Sequence, residues 1–152
     1  MISDELAAFV SSGVSINIAT RDRDLVPEGA RAWAIRVEPD RTHLVAYLQE
    51  GAAAPILRDL EENGQVALAL SRPTDHRSCQ LKGRFVEARP CGPEERDEVE
   101  RQADGFLREL DAIGIPRALT AGWVVWPCLA IRVRVTDLFH QTPGPGAGER
   151  LS

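Results

Sequence analysis

The chain has 152 residues, 43% hydrophobic and 27% charged, and its 18 Lys and Arg against 23 Asp and Glu give a formal net charge of −5. That is the size and makeup of one globular domain able to bury a core. The acidic balance argues against non-specific adhesion to nucleic acid or an anionic membrane, and no apolar run approaches the ~20 residues needed to span a bilayer.

Cys79, Cys91 and Cys128 are odd in number and lack CxxC spacing, which suits a reducing compartment better than a disulfide framework. His43, His76 and His140 form no ligand pair, so no metal site is expected. The opening "MISDELAAFV" carries acids where a signal peptide would carry cations. The sequence therefore predicts a soluble, cytoplasmic protein.

In chain order, Ser3 before Asp4 and Glu5 reads as an N-cap with acids in the first turn. Leu6, Phe9 and Val10 share one face of a short helix that Gly13 ends. "VSINIAT" (14–20) alternates apolar and polar, as a half-buried strand does. After a loop through Pro27 and Gly29, "ARAWAIRVEPD" (30–40) and "THLVAYL" (42–48) alternate again around a Pro39-Asp40 turn and predict a hairpin. "GAAAPILRDLEENG" (51–64) has helical spacing of Ile56, Leu57 and Leu60, with Asn63-Gly64 as its stop. "QVALALS" (65–71) is almost wholly apolar and predicts a central strand, and a long strand is expected over about 77–89.

"GPEERDEVERQADGFLRELDAIG" (92–114) predicts a charged helix opening at Pro93, with Gly105 a candidate break into two pieces. "WVVWPCLAIRVRVTDLF" (123–139) ends the ordered core, alternating from Ala130 with Arg132 and Arg134 on a wet face. The tail "QTPGPGAGERLS" carries too many turn residues for regular structure. The expectation is a mainly β fold with flanking helices, an antiparallel barrel of six or so strands over residues 1–140, with 141–152 as a Pro/Gly-rich tail. A sandwich is the alternative.

No nucleophile elbow, dinucleotide fingerprint or P-loop is present, and "GPGAG" (144–148) lacks the strand-turn-helix setting of a phosphate loop. The basic strand residues are the more informative candidates. Arg31 and Arg36, then Arg72, Arg77 and Lys82, then Arg132 and Arg134 could meet on one sheet face and hold an anion. Wet sheet faces also carry Arg and Lys with no ligand at all. Trp33 fits either a core position or a stacking platform, and His76 fits a turn.

The order of these segments resembles the pyridoxamine 5′-phosphate oxidase-like, FMN-binding split-barrel family. The likeness runs through "VSINIATRD", "RAWAIRV", "ILRDLEENGQVALAL" and "HRSCQLKG", and the tail "FHQTPGPGAGERL" is similar to tails of uncharacterised bacterial members. The resemblance implies a homodimer with two flavin sites at the subunit interface and a flavin-dependent oxidoreductase activity. It implies FMN held by barrel residues, here Arg31, Trp33, Arg72, His76, Arg77, Ser78, Gln80 and Lys82, with Arg31 on the phosphate side and Arg72, His76 and Arg77 expected to hold the phosphate itself. One departure counts against true pyridoxamine phosphate oxidase activity. Ala54, Pro55 and Ile56 stand where those enzymes place a Ser-Arg-Lys phosphate clamp. The alternative is a flavin-free split-barrel dimer for another small anion, or for haem with His76 or His140 as a ligand.

Overall fold

The computed structural model describes residues 1–151. Helix α1 (Asp4–Val10) is capped by Ser3, whose Oγ accepts the Leu6 N–H at 3.1 Å, as its Ser-Asp-Glu start predicts. Strands β1 (Ser15–Arg21), β2 (Pro27–Val37) and β3 (His43–Gln49) form an antiparallel meander. Helix α2 (Ala53–Asn63) follows a short 3-10 turn and ends at Gly64, which sits at φ +70° and donates its N–H to the Leu60 carbonyl at 2.8 Å. Strands β4 (Gln65–Ser71) and β5 (Ser78–Pro90) form a second hairpin, helices α3 (Arg96–Ala112) and α4 (Arg117–Thr120) follow, and β6 (Cys128–His140) returns.

The strand order is β3-β2-β1-β4-β5-β6, and β3 also pairs antiparallel with β6 from His43–Arg134 to Gln49–Cys128. Both edges are thereby consumed and the six strands close into a barrel. Period-two patterning decides what lies inside: Ile16, Ile18, Ile35, Leu44, Leu48, Leu68, Leu81 and Val133 point inward and are buried. Leu6, Phe9 and Val10 of α1 and Ile56 and Leu60 of α2 join the same core. The buried Asp59 carboxylate ties α2 to β1 by accepting the Thr20 hydroxyl at 2.8 Å, and Arg58 donates to its other oxygen at 3.2 Å.

Outside the barrel, α3 lies over β2, β3 and β6. Its Val99, Ala103, Phe106 and Leu110, one helical face, pack on Trp33, Ala34, Val45, Tyr47 and Ala130. A register shift between Ala32 and Ala34 puts both Trp33 and Ala34 into this outer layer. The fully buried Gln102 seals the contact: its Oε1 accepts the Ile35 N–H at 3.0 Å and its Nε2 donates to the Ile35 carbonyl at 2.9 Å. Pairing of β2 with β1 stops at Ala32, which leaves these groups without a ladder partner on that side, and one amide side chain answers both.

Three expectations change. Gly105 does not divide the helix over 92–114; α3 runs through it because Gly105 is where the α1–β1 turn crosses the helix. A Cβ on Gly13, which sits at φ +85°, would lie 2.8 Å from the Gly105 Cα, so contact rather than helix breaking explains both glycines. Second, the tail is not wholly irregular, because Arg150–Leu151 form β7 against Leu138 and Phe139 of β6. The turn-forming Gly and Pro residues before it let the chain double back to that edge. Third, β2 begins at Pro27, where a loop was expected, because Pro27, Glu28 and Gly29 pair with Arg21, Thr20 and Ala19 of β1; β4 lies between β1 and β5, central as its apolar run predicts. Among the described residues no helix is long and apolar enough to cross a membrane.

Replacing Gln102 with Leu keeps the volume and strands two buried backbone groups, at about 1–3 kcal/mol each. Urea unfolding of Q102L is expected to show a loss of at least about 2 kcal/mol; a loss under 0.5 kcal/mol would show that this contact does not hold α3 to the barrel.

Candidate functional site

The helix α3 covers one side of the barrel, which leaves the outer face of β1, β4 and β5 bare. Register aligns its outward residues in rows. Ser15, Ser71 and Ser78 form one, Arg31, Asn17, Ala69, Gln80 and Phe139 the next, and Ala19, Ala67 and Lys82 a third. Alanines on β4 make a low floor, and longer side chains on β1 and β5 make the walls. The result is a trough with a cavity at each end. That at the serine end has a volume of about 410 Å³ between Asn17, Ser71, Ser78 and Gln80; that at the other end, about 510 Å³ between Arg21, Lys82 and Arg84.

Four of the residues singled out in the sequence, Arg31, Ser78, Gln80 and Lys82, thus share one surface. Arg31 is half-buried and its guanidinium donates to the Ser15 Oγ at 3.1 Å. It lies 4.7 Å from the Phe106 ring centre and 6.0 Å from that of Trp123. Burial pulls its pKa below the ordinary arginine value, and no carboxylate forms a salt bridge with it among the described residues. Trp33 goes elsewhere: it is buried beneath α3, its ring centre 6.1 Å from that of Trp123 at 52°. Its place is the core, not the trough.

Arg72, His76 and Arg77 occupy the β4–β5 turn and face α1. Arg72 pairs with Asp75 at 2.9 Å and Arg77 with Glu5 at 2.8 Å, and both guanidiniums stack on Phe9, at 5.3 and 4.7 Å. Each cation already has an acid partner. His76 is a turn residue at φ +60°, its N–H bonded to the Arg72 carbonyl at 2.9 Å. His140 ends β6 opposite Cys79. At the start of α2, Ala53 and Ile56 are buried and Ala54 and Pro55 are not, and none of the four offers a donor side chain.

Two other clusters carry less. Glu38, Asp40 and His43 bring one ligand atom each within 4.8 Å of one another at the β2–β3 turn, a grouping their sequence spacing did not suggest. The Arg132 guanidinium already forks onto Glu38 at 3.0 and 2.8 Å, and Asp40 accepts the Thr42 and His43 N–H groups at 2.9 Å each. The cysteines are free thiols, pushed up by burial to about 12 for Cys79 and Cys128 and about 11 for Cys91. They stay protonated at neutral pH and are poor nucleophiles.

Sequence reading missed Ser15, Asn17 and Ser71, and at the far end Arg21 and Arg84. The signal was parity. Gln80, Lys82 and Arg84 stand two apart on β5, and Ser15, Asn17, Ala19 and Arg21 two apart on β1. A β-bulge shapes the far wall, where Lys82 opposes Asp137 but Gly83 opposes Val135, leaving Thr136 as the extra residue. A Cβ on Gly83 would stand 2.5 Å from the Arg134 carbonyl oxygen, so only glycine permits that approach.

No protein-family model and no curated protein matches the sequence. Solved structures do match the fold. HupZ of Group A Streptococcus is 16% identical, with 97% of this chain and 100% of that one covered and a TM-score of 0.58. A putative pyridoxamine 5′-phosphate oxidase from Lactobacillus delbrueckii is 12% identical over 90% and 92%, with a TM-score of 0.56. An FMN-binding protein from Syntrophomonas wolfei is 12% identical over 86% and 81%, at 0.50. The chain has the split-barrel fold of pyridoxamine 5′-phosphate oxidase-like proteins, as the order of its segments suggested.

Proposed function

We propose that this split barrel binds a flavin, FMN, in the trough on β1, β4 and β5 and serves as a flavin-dependent oxidoreductase. Arg31 carries the proposal. A guanidinium drawn partly out of water without a carboxylate is costly unless an anion completes it, and Arg31 has only the Ser15 hydroxyl and two aromatic rings. The Ser15, Ser71 and Ser78 row adds neutral donors beside it. Phosphate takes forked charge-assisted bonds from arginine and weaker ones from hydroxyls, so this end fits the FMN phosphate. The alanines of β4 leave room for a flat ring, and the Asn17 and Gln80 amides stand beside it to orient polar ring edges. The fold shared with an FMN-binding protein is consistent with this choice.

Bound flavin would supply the redox chemistry. The chain's own residues bind and orient: Arg31 and the serines hold the phosphate, and the amides set the position of the ring. Because α2 offers no cation at Ala54–Ile56, the phosphate depends on Arg31 more than it would with a basic helix entrance, and pyridoxamine phosphate oxidation itself is not proposed. The trough is open on one side, and Ala69 lies exposed on it. Trp123, 44% exposed and stacked near Arg31, and Val124, 60% exposed, extend an apolar margin. A second copy of the chain laid on this face would bury that margin and close the trough, so the working unit is a homodimer with the sites at its interface.

Fluorescence quenching of FMN by the purified protein tests the binding. Micromolar affinity is expected, weakened at least tenfold (1.4 kcal/mol) in Arg31→Ala and little changed in Arg77→Ala, whose guanidinium is held by Glu5. No micromolar binding by the wild type would overturn the flavin reading, and an unchanged affinity in R31A would overturn the placement of the phosphate. Sedimentation equilibrium tests the dimer: the wild type is expected at twice the chain mass and Ala69→Arg as a monomer. A monomeric wild type at tens of micromolar would contradict it.

A further inference from the structure

The far end of the trough holds a charge arrangement that the flavin reading leaves unused. Arg21, Lys82 and Arg84 line its cavity, and no acidic residue does. The other basic cavities contain their own counter-charges: Arg36, Arg89 and Arg132 share theirs with Glu38 and Glu87, and Arg41 and Arg150 share theirs with Asp137. None of the three cations forms a salt bridge among the described residues, although thirteen such pairs involve other basic groups. In a chain with five more acids than bases, three unpaired cations around one concavity are a concentrated positive field.

Local contacts account for only part of their bonding capacity. The Arg21 guanidinium donates to the Asp22 carbonyl at 3.0 Å and that of Arg84 to the Asn63 carbonyl at 3.3 Å, at the end of α2. Each guanidinium has five donors, so most remain free. The Lys82 Nζ rests 5.1 Å from the Phe139 ring centre. Asp137, opposite Lys82 in the register, is taken by Arg150 and the Thr136 hydroxyl. The Gly83 bulge fixes the wall between Lys82 and Arg84 and presents Thr136 at the rim.

We propose that Arg21, Lys82 and Arg84 form a second anion site that takes the diphosphate group of a small molecule. Three cations with no acid among them match the charge of two phosphates better than that of one. Arg21 and Arg84 lie on β1 and β5 with β4 between them, about 10 Å apart at the backbone, and Lys82 stands two residues, about 7 Å, from Arg84. Three long side chains can close on one anion from separate sides, and a diphosphate offers them more negative charge and more acceptor oxygens than a single phosphate does. The site is about 14 Å along the strands from the serine row, four residues on, and does not depend on what binds there.

Calorimetric titration of the full chain with inorganic pyrophosphate, at low ionic strength, tests the site without any flavin. Binding is expected, weakened at least tenfold in Lys82→Gln and in Arg84→Gln, largely kept in Lys82→Arg, and unchanged in the Arg72→Ala/Arg77→Ala double variant. Orthophosphate is expected to bind at least fivefold more weakly than pyrophosphate. A wild type that does not bind pyrophosphate would overturn the proposal. So would K82Q and R84Q proteins that bind it normally, including the case in which R84Q only lowers the melting temperature, because Arg84 would then serve the end of α2 alone. If FMN fails to bind while pyrophosphate binds through these three residues, the flavin reading falls and this site stands.

Discussion

The grip of Gln102 on Ile35 decides which side of this barrel can work. A closed six-stranded barrel has an outer surface all the way round, and a domain of this size has one long helix with which to cover it. The β1–β2 ladder ends at Ala32 and leaves the Ile35 backbone needing partners on that side, and Gln102 meets both its N–H and its carbonyl. With α3 fixed there, β2, β3 and β6 acquire a second apolar layer, while β1, β4 and β5 keep a bare outer face. The same docking brings Phe106 under the Arg31 guanidinium, so the helix both selects the open face and half-buries the charge at its margin.

The open face is chemically graded along its length. Hydroxyls and one half-buried guanidinium lie at one end, amides and alanines in the middle, and three cations without carboxylate partners at the other. Elsewhere most of the arginines meet acids: Arg89 and Tyr47 both engage Glu95, which is held down to about 2, and Arg132 is forked onto Glu38. The protein neutralises its charges across the helices and turns, and on the trough it leaves them available.

Much of the fold was legible because its signals are local. Alternation in "VSINIAT" and the Asn63-Gly64 stop placed β1 and the end of α2 within a residue or so, and the segment order suggested the barrel. Gly105 misled because a glycine in a helix reads the same whether it breaks the helix or admits a crossing chain, and only the partner, Gly13, tells which. In the site, Arg31, Ser78, Gln80 and Lys82 were visible as polar residues on strands, but their rows depend on the pairing of β1 with β4 and of β4 with β5. Arg72 and Arg77 stood out in sequence as the phosphate ligands; Asp75 is close by in the chain, but the Glu5 that neutralises Arg77 is remote and comes near only through folding. Arg21 and Arg84 went unnoticed because each sits at the end of an alternation whose significance lies in the neighbouring strand.

The central claim, that the half-buried Arg31 is completed by the phosphate of a flavin, is tested most directly by comparing FMN with riboflavin, which lacks only that phosphate. The wild type should bind FMN at least tenfold more tightly than riboflavin, and Arg31→Ala should bind the two alike. Equal affinities in the wild type, or a preference for FMN that survives R31A, would contradict the account.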